Sequence, residues 1–310
     1  MLGILQTVLP VFLIIGAGYL AVRAKLFADS AVDGLMVFTQ QFAIPCLLFA
    51  GIARLDLNAT FDTRLLVGFY SGAALCFVLG ILGARLIFKR RPGEAVAVGF
   101  GALFSNSVLL GLPIMERAYG VEALAANFAI IAIHAPFCYL LGITAMEIAR
   151  ADGRGAVDTG RAVLRAMFRN ALMIGLALGF TVNLTGLALP EWIWAAIDLM
   201  VRAALPAALF GLGGILTRYA IRSGLGEVAM VSTLSLIVHP AIAYTLTLHV
   251  FDLPIEFVRA AVVTAAMAPG VNSYVFANMY HRAEGVAAST VLLATATSVL
   301  SVSAWLWVLG

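Results

Sequence analysis

The sequence has 310 residues, 63% of them hydrophobic and 11% charged, with a formal net charge of +3 and a mean hydropathy of +1.03. Soluble domains carry about 25% charged residues, so this composition excludes an ordinary soluble globule and implies a chain held largely inside a bilayer. The charge is small and there is no basic arm to hold nucleic acid; Cys46, Cys76 and Cys138 all fall in apolar runs, at spacings that suit neither a metal site nor a disulfide framework.

A helix crosses the hydrocarbon with about 20 apolar residues. Ten stretches qualify, roughly Ile4–Val22, Ala31–Ala53, Leu65–Phe88, Glu94–Tyr119, Glu122–Ile148, Asn170–Leu187, Trp192–Leu216, Leu225–Phe251, Ile255–Tyr280 and Gly285–Leu309. The first lacks a basic start and is too long for the apolar core of a signal peptide, so it counts as a span. The longest polar connection, residues 151–169, divides the chain into residues 1–150 and residues 170–310, with five spans each. The expected fold is an all-α membrane protein.

The halves repeat one another in places. Ala43–Ile44–Pro45–Cys46–Leu47–Leu48–Phe49–Ala50 is similar to Ala204–Leu205–Pro206–Ala207–Ala208–Leu209–Phe210–Gly211, 161 positions on, and Glu122–Ala126 is similar to Glu284–Ala288, 162 positions on. Spans two and five thus pair with seven and ten, and span four pairs with nine. Because five is odd, the second repeat enters the membrane inverted.

Span four contains Ser105–Asn106–Ser107–Val108–Leu109–Leu110–Gly111–Leu112–Pro113. Proline inside a helix removes a backbone donor and clashes one turn back, at about 3 kcal/mol. Lipid offers no substitute partner, so broken backbone at that depth must be buried in protein or line a wet cavity. One proline alone reads as a kink packed between helices. A second polar, breakable stretch, Ala268–Pro269–Gly270–Val271–Asn272–Ser273 in span nine, shifts the reading, since paired interruptions in inverted repeats mark a transporter site.

The candidate substrate-binding residues are Ser105, Asn106, Ser107, Gly111, Pro113, Pro269, Gly270, Asn272 and Ser273, joined by Gln40 and Gln41, which stand one turn before Pro45. Neither interruption holds an acidic residue, whereas a site for bare cations would hold carboxylates. Neutral amide and hydroxyl donors beside half-helix N-termini favour an anion. Asp198 and Arg202 stand four apart and are expected to neutralise one another, the alternatives being anion attraction by Arg202 or a coupling proton on Asp198. His134 and His239 lie inside spans and read as neutral hydrogen-bonded core residues before they read as proton relays. The sequence has no His-Glu-x-x-His, phosphate loop or Gly-x-Ser-x-Gly elbow, so no catalytic residue, metal or cofactor is expected.

Connections after spans one, three, five, seven and nine carry fourteen Lys and Arg, against three on the other side. The bias predicts a cytoplasmic loop at 151–169 and both termini outside.

Asn106–Ser–Val–Leu–Leu–Gly–Leu–Pro113, continuing to Gly120, resembles the fourth-helix motif of the auxin efflux carrier family, which includes plant PIN-formed carriers and bacterial malonate and malate permeases. Pro269–Gly270 with Tyr274–Val–Phe–Ala277 resembles its ninth-helix motif. The resemblance implies two inverted five-helix repeats of the crossing-helix type, like NhaA and the bile-acid symporters, in which scaffold and transport domains interleave helices of both halves. It implies an anion site at the crossing and elevator-like movement, with the crossover residues falling on Asn106, Pro113 and Pro269 to Ser273. Asn272–Ser273 stands where the plant carriers have an apolar residue and a proline, and the central loop is short, features that suit a bacterial dicarboxylate permease better than an auxin carrier. The reading is a secondary transporter of the bacterial inner membrane for a small carboxylate such as malonate or malate, with lipid as its other partner and a homodimer as one option for assembly. The rival readings are a sodium- or proton-coupled carrier of another acid, auxin-like or bile-acid-like, and a membrane sensor that binds without transport.

Overall fold

The computed structural model describes residues 2–150, 170–220 and 224–310, so the connection at 151–169 lies outside the described residues. Among them the chain is helical, with no β-strand beyond one isolated bridge. The helices are α1 Leu2–Arg23, α2 Asp29–Phe38, α3 Ile44–Ala53, α4 Leu57–Thr60, α5 Thr63–Leu86, α6 Pro92–Leu103, α7 Leu112–Tyr119, α8 Leu124–Arg150, α9 Ala171–Thr185, α10 Glu191–Leu216, α11 Leu225–Thr233, α12 His239–Tyr244, α13 Ile255–Ala265, α14 Val271–Tyr280 and α15 Glu284–Leu309. Seven helical runs among the described residues are long and apolar enough to cross a membrane, and α9 is apolar but shorter. The stretches at 94–119 and 255–280 are each divided into two half-helices.

Wide π turns join several helices, and three of them end two residues before a proline: Thr39–Ala43 before Pro45, Ser107–Gly111 before Pro113 and Leu234–Val238 before Pro240. The proline ring would collide with the carbonyl four residues back. One extra residue in the preceding turn moves that carbonyl aside and lets the helix continue. Elsewhere the ends are set by side chains and glycine. Asp62 caps α5 by accepting the Arg64 N–H at 2.7 Å, and Gly186 ends α9 in the left-handed region at φ 64°.

The chain forms two compact units. The larger comprises the described residues of Met1–Leu9, Asp62–Val163 and Tyr219–Gly310, the smaller those of Pro10–Phe61 and Leu164–Arg218. Within the smaller unit, helices approach through glycine. A Cβ at Gly175 would lie 2.5 Å from the Pro45 carbonyl oxygen and one at Gly179 2.9 Å from that of Phe49, and Cβ atoms at Gly18 and Gly213 would collide with the carbonyls of Phe210 and Ile15. Such small-residue seams suit helices in lipid, where close packing replaces the hydrophobic effect as the associating force. Asn183 ties the end of α3 to α9, its amide donating to the carbonyls of Ile52 and Leu55 at 2.9 and 2.6 Å.

Asp198 and Arg202 do not form the expected pair. The Asp198 carboxylate accepts from both terminal nitrogens of the Arg54 guanidinium, at 2.9 and 3.0 Å, and Arg202 donates instead to the main-chain oxygen of Asp198 at 3.3 Å. Arg54 enters from the end of α3, stacked on the Trp194 ring at 4.3 Å, and presents its fork to both carboxylate oxygens. A two-pronged contact of that kind outcompetes a partner four residues along the same helix.

Candidate functional site

The first interruption follows from three residues. Phe104 leaves α6 with extended ψ of 92°, and Asn106, at φ −77° and ψ 60°, starts the second half-helix. The Asn106 side chain caps that half-helix, its Oδ1 accepting the Leu109 N–H at 3.3 Å, while its main-chain oxygen accepts from Leu110 and Gly111 at 3.2 and 3.1 Å. A short amide side chain that competes for backbone donors suits a cap and is poor in mid-helix. The break is shorter than the sequence implies: Ser107 to Gly111 form a π turn that runs straight into α7, and the widened turn accommodates the Pro113 ring.

The second interruption runs from the end of α13 at Ala265 to Gly270, which caps α14 with extended backbone. The two interruptions pair. Ser105 and Pro269 face each other as an antiparallel bridge, the Asn106 N–H donates to the Ala268 oxygen at 2.9 Å, and the Gly270 N–H donates to the Phe104 oxygen at 2.9 Å. Pro269 has no N–H, so both bonds come from its neighbours. Each break thus satisfies backbone groups that the other leaves free, as a membrane interior requires. The approach leaves room at both glycines: a Cβ at Gly270 would lie 3.5 Å from the Asn106 Cα, and one at Gly111 3.5 Å from Met267 Cγ, both ordinary contact distances. The half-helices are further joined where the rings of Phe100 and Phe276 stack at 3.9 Å, nearly parallel.

Two polar atoms at the pairing are left over. Asn106 is 6% exposed and Ser273 1%, yet the Asn106 amide nitrogen and the Ser273 hydroxyl have no hydrogen-bond partner. Unpaired buried polar groups cost about 1–3 kcal/mol each and call for an explanation. The Asn106 oxygen is already engaged by an N–H, so the amide offers its NH2 end. Asn272 accepts from the Tyr139 hydroxyl at 3.4 Å, which likewise turns its oxygen toward the protein. Both second half-helices begin at this point, so their partially positive N-terminal ends lie beside these donors. The ensemble offers donors and no acidic side chain, which is the chemistry of an anion site.

The structure gathers Ser105, Asn106, Ser107, Gly111, Pro269, Gly270, Asn272 and Ser273 at or beside the pairing, with Pro113 one turn along. His134 joins them, its Nε2 lying 3.2 Å from the Ser105 carbonyl oxygen. His239 engages the Phe69 carbonyl oxygen at 3.1 Å, and the Phe69 ring lies against both histidines, 4.8 Å from His239 and 5.8 Å from His134. Gln40 and Gln41 lie in the π turn before Pro45, in the smaller unit, as do Asp198 and Arg202. Tyr139 and Cys138 are at the site without a sequence signal, except that Cys138 shares a helix face with His134. Among the described residues no cluster of His, Cys, Asp or Glu could hold a metal ion.

A family profile described as "Membrane transport protein" matches residues 3–306. The chain is 24% identical over 307 residues to the "Putative malonate transporter" of Rhizobium meliloti, covering 97% of this chain and 94% of that one. It is 25% identical over 278 residues to an "Uncharacterized transporter" of Methanothermobacter thermautotrophicus, covering 86% and 87%, and 23% identical over 308 residues to "Uncharacterized transporter YfdV" of Escherichia coli, covering 97% and 96%. With nearly its whole length matched, the chain belongs to the membrane transport protein family, that of the auxin efflux carriers.

Proposed function

We propose that the chain is a secondary transporter of ten spans, two inverted five-helix repeats whose broken fourth and ninth spans cross, and that it moves a small organic anion of the dicarboxylate class across the inner membrane. The observation that carries this is the pair of unfulfilled buried donors, the Asn106 amide nitrogen and the Ser273 hydroxyl, beside the paired interruptions. A carboxylate accepts from both and is further favoured by the two half-helix N-termini. A bare cation needs oxygen ligands, and the Asn106 oxygen is already taken by Leu109. The relative named a malonate transporter supports the dicarboxylate class. All the residues of the pairing belong to the larger unit. That division suits an elevator mechanism, in which the unit bearing the site moves as one body while the smaller unit serves as scaffold. The loop at 151–169 faces the cytoplasm and both ends of the chain face outward, following the basic residues.

The test is uptake of labelled malonate, succinate and malate into proteoliposomes, with sodium and pH varied. Asn106→Asp keeps an oxygen to cap Leu109 but replaces the amide donor by a negative charge. The expected outcome for Asn106→Asp is a folded protein with flux reduced by at least about a hundredfold, since a lost charge-assisted bond and a new repulsion together exceed about 3 kcal/mol. Flux near the wild-type rate in that variant refutes the site.

A further inference from the structure

The three carbonyls that end the first half of the broken fourth span are each met from outside their own helix. The Leu103 oxygen lies 3.8 Å from the Cys138 thiol, the Phe104 oxygen accepts from Gly270, and the Ser105 oxygen lies 3.2 Å from His134 Nε2, with the Ser105 hydroxyl at 3.5 Å. A helix end inside an apolar segment has no water to satisfy these groups, so each needs a protein donor. Two of the three donors come from α8. His134 and Cys138 stand one turn apart, on one face of the helix. His134 is 2% exposed, wedged edge-on against the Phe104 ring at 4.8 Å, and its Nδ1 lies 3.8 Å from the Cys138 sulfur. A carbonyl oxygen accepts and cannot donate, so this contact requires the proton on Nε2.

The Ser105 carbonyl and the Asn106 N–H belong to one planar peptide unit. The Ser107 N–H, at 2.8 Å, and His134, at 3.2 Å, together hold the carbonyl end of that plane, and the Ala268 oxygen holds the N–H end. The Cα of Asn106 is the next atom along, and it carries the amide whose nitrogen is unpaired. Without His134 the carbonyl keeps only the Ser107 N–H, which lies within the same turn and moves with it; the plane is then freer to tilt, which weakens the bond to Ala268 and redirects the Asn106 side chain.

We infer that His134 is a positioning residue for the substrate site: by donating to the Ser105 carbonyl it fixes the Ser105–Asn106 peptide plane and thereby the direction in which the Asn106 amide nitrogen is presented. The role requires a hydrogen-bond donor and no proton transfer. It rests on the reading of Asn106 as a substrate-binding residue.

The experiment measures KM and maximal rate in proteoliposomes for wild type, His134→Met, His134→Gln and Asn106→Ala. The probe is whichever of malonate, succinate and malate the wild type carries best. Glutamine can place an amide N–H near the imidazole Nε2 but cannot titrate near neutral pH, and methionine fills similar space with no donor. Loosening a ground-state contact raises KM and leaves the turnover of bound substrate. The expected result is a KM about tenfold higher in His134→Met at a maximal rate within about twofold of wild type, the order of one neutral hydrogen bond. His134→Gln is expected to recover the wild-type KM to within about threefold. A wild-type KM in His134→Met overturns the inference, as does a KM in His134→Gln raised as much as in the methionine variant. Should His134→Met not fold, the glutamine variant decides alone on the same threshold. If Asn106→Ala carries the probe at the wild-type KM, or no acid is carried by the wild type, the underlying site reading fails, whatever the His134 variants do.

Discussion

At Ser273 the demands of folding and of binding point in opposite directions. Its hydroxyl is buried without a partner, so the folded protein bears a desolvation cost that nothing within the chain offsets. Ser273→Ala removes that group at almost constant volume. The expected outcome is a melting temperature unchanged or raised, together with an affinity for the transported anion lowered about tenfold, the order of one hydrogen bond. Thermal unfolding in detergent and concentration-dependent uptake check the two halves; a destabilised variant with wild-type affinity shows that the hydroxyl has a structural partner instead. Residues of this kind are legible in the sequence because polar side chains inside an apolar run are conspicuous, as with Ser105, Asn106 and Ser273. Tyr139 and Cys138 are not legible. Each is an ordinary residue of an apolar helix, and its importance comes from which face of α8 meets the interruptions, which is a tertiary fact. The expected partnership of Asp198 with Arg202 failed for the same reason, because the better-placed Arg54 is 144 positions away.

Among the elements, backbone proximity decides which glycines are replaceable. Gly270 lies in the paired interruption at φ −71°, and an added Cβ would meet its neighbours at ordinary contact distances of 3.4 and 3.5 Å. Gly213 lies in the last turn of α10, and its Cβ would collide with the Ile15 carbonyl of α1. Gly270→Ala is therefore expected to fold and transport, although it sits at the site. Gly213→Ala, in the other unit, is expected to lose about 1–3 kcal/mol of stability, the usual cost of overpacking. Melting of both variants in detergent compares them, and a reversed order refutes the seam. Seven of the ten apolar stretches expected from patterning are helical runs long enough to cross a membrane among the described residues. Patterning misplaces the break in span four, which ends at Asn106 because a π turn absorbs Pro113 without interrupting the helix. Patterning cannot distinguish a proline that breaks a helix from one that widens a turn, since both follow from the same missing donor.

For the whole molecule, the repeat expected from the sequence would divide the chain between residues 150 and 170, whereas compaction groups segments from both halves into each unit. A repeat would run in residue order along the chain, whereas compaction reports packing, so the two divisions differ. The smaller unit offers a direct test of inversion. Leu26, in the connection after α1, and Leu187, in the connection after α9, are 84% and 55% exposed and stand 161 positions apart, the spacing of the repeated Pro45 and Pro206 motifs. If the halves are inverted repeats, these two equivalent sites lie on opposite sides of the membrane. The bias of basic residues predicts Leu26 inside, beside Arg23 and Lys25, and Leu187 outside. Single cysteines at the two positions, with Cys46, Cys76 and Cys138 replaced, are to be labelled with a membrane-impermeant maleimide in intact cells and in inverted vesicles. Leu187→Cys is expected to react in cells and Leu26→Cys in inverted vesicles. Reaction of both from the same side removes the inverted repeat, and with it the reason for two half-helix N-termini to meet at one depth.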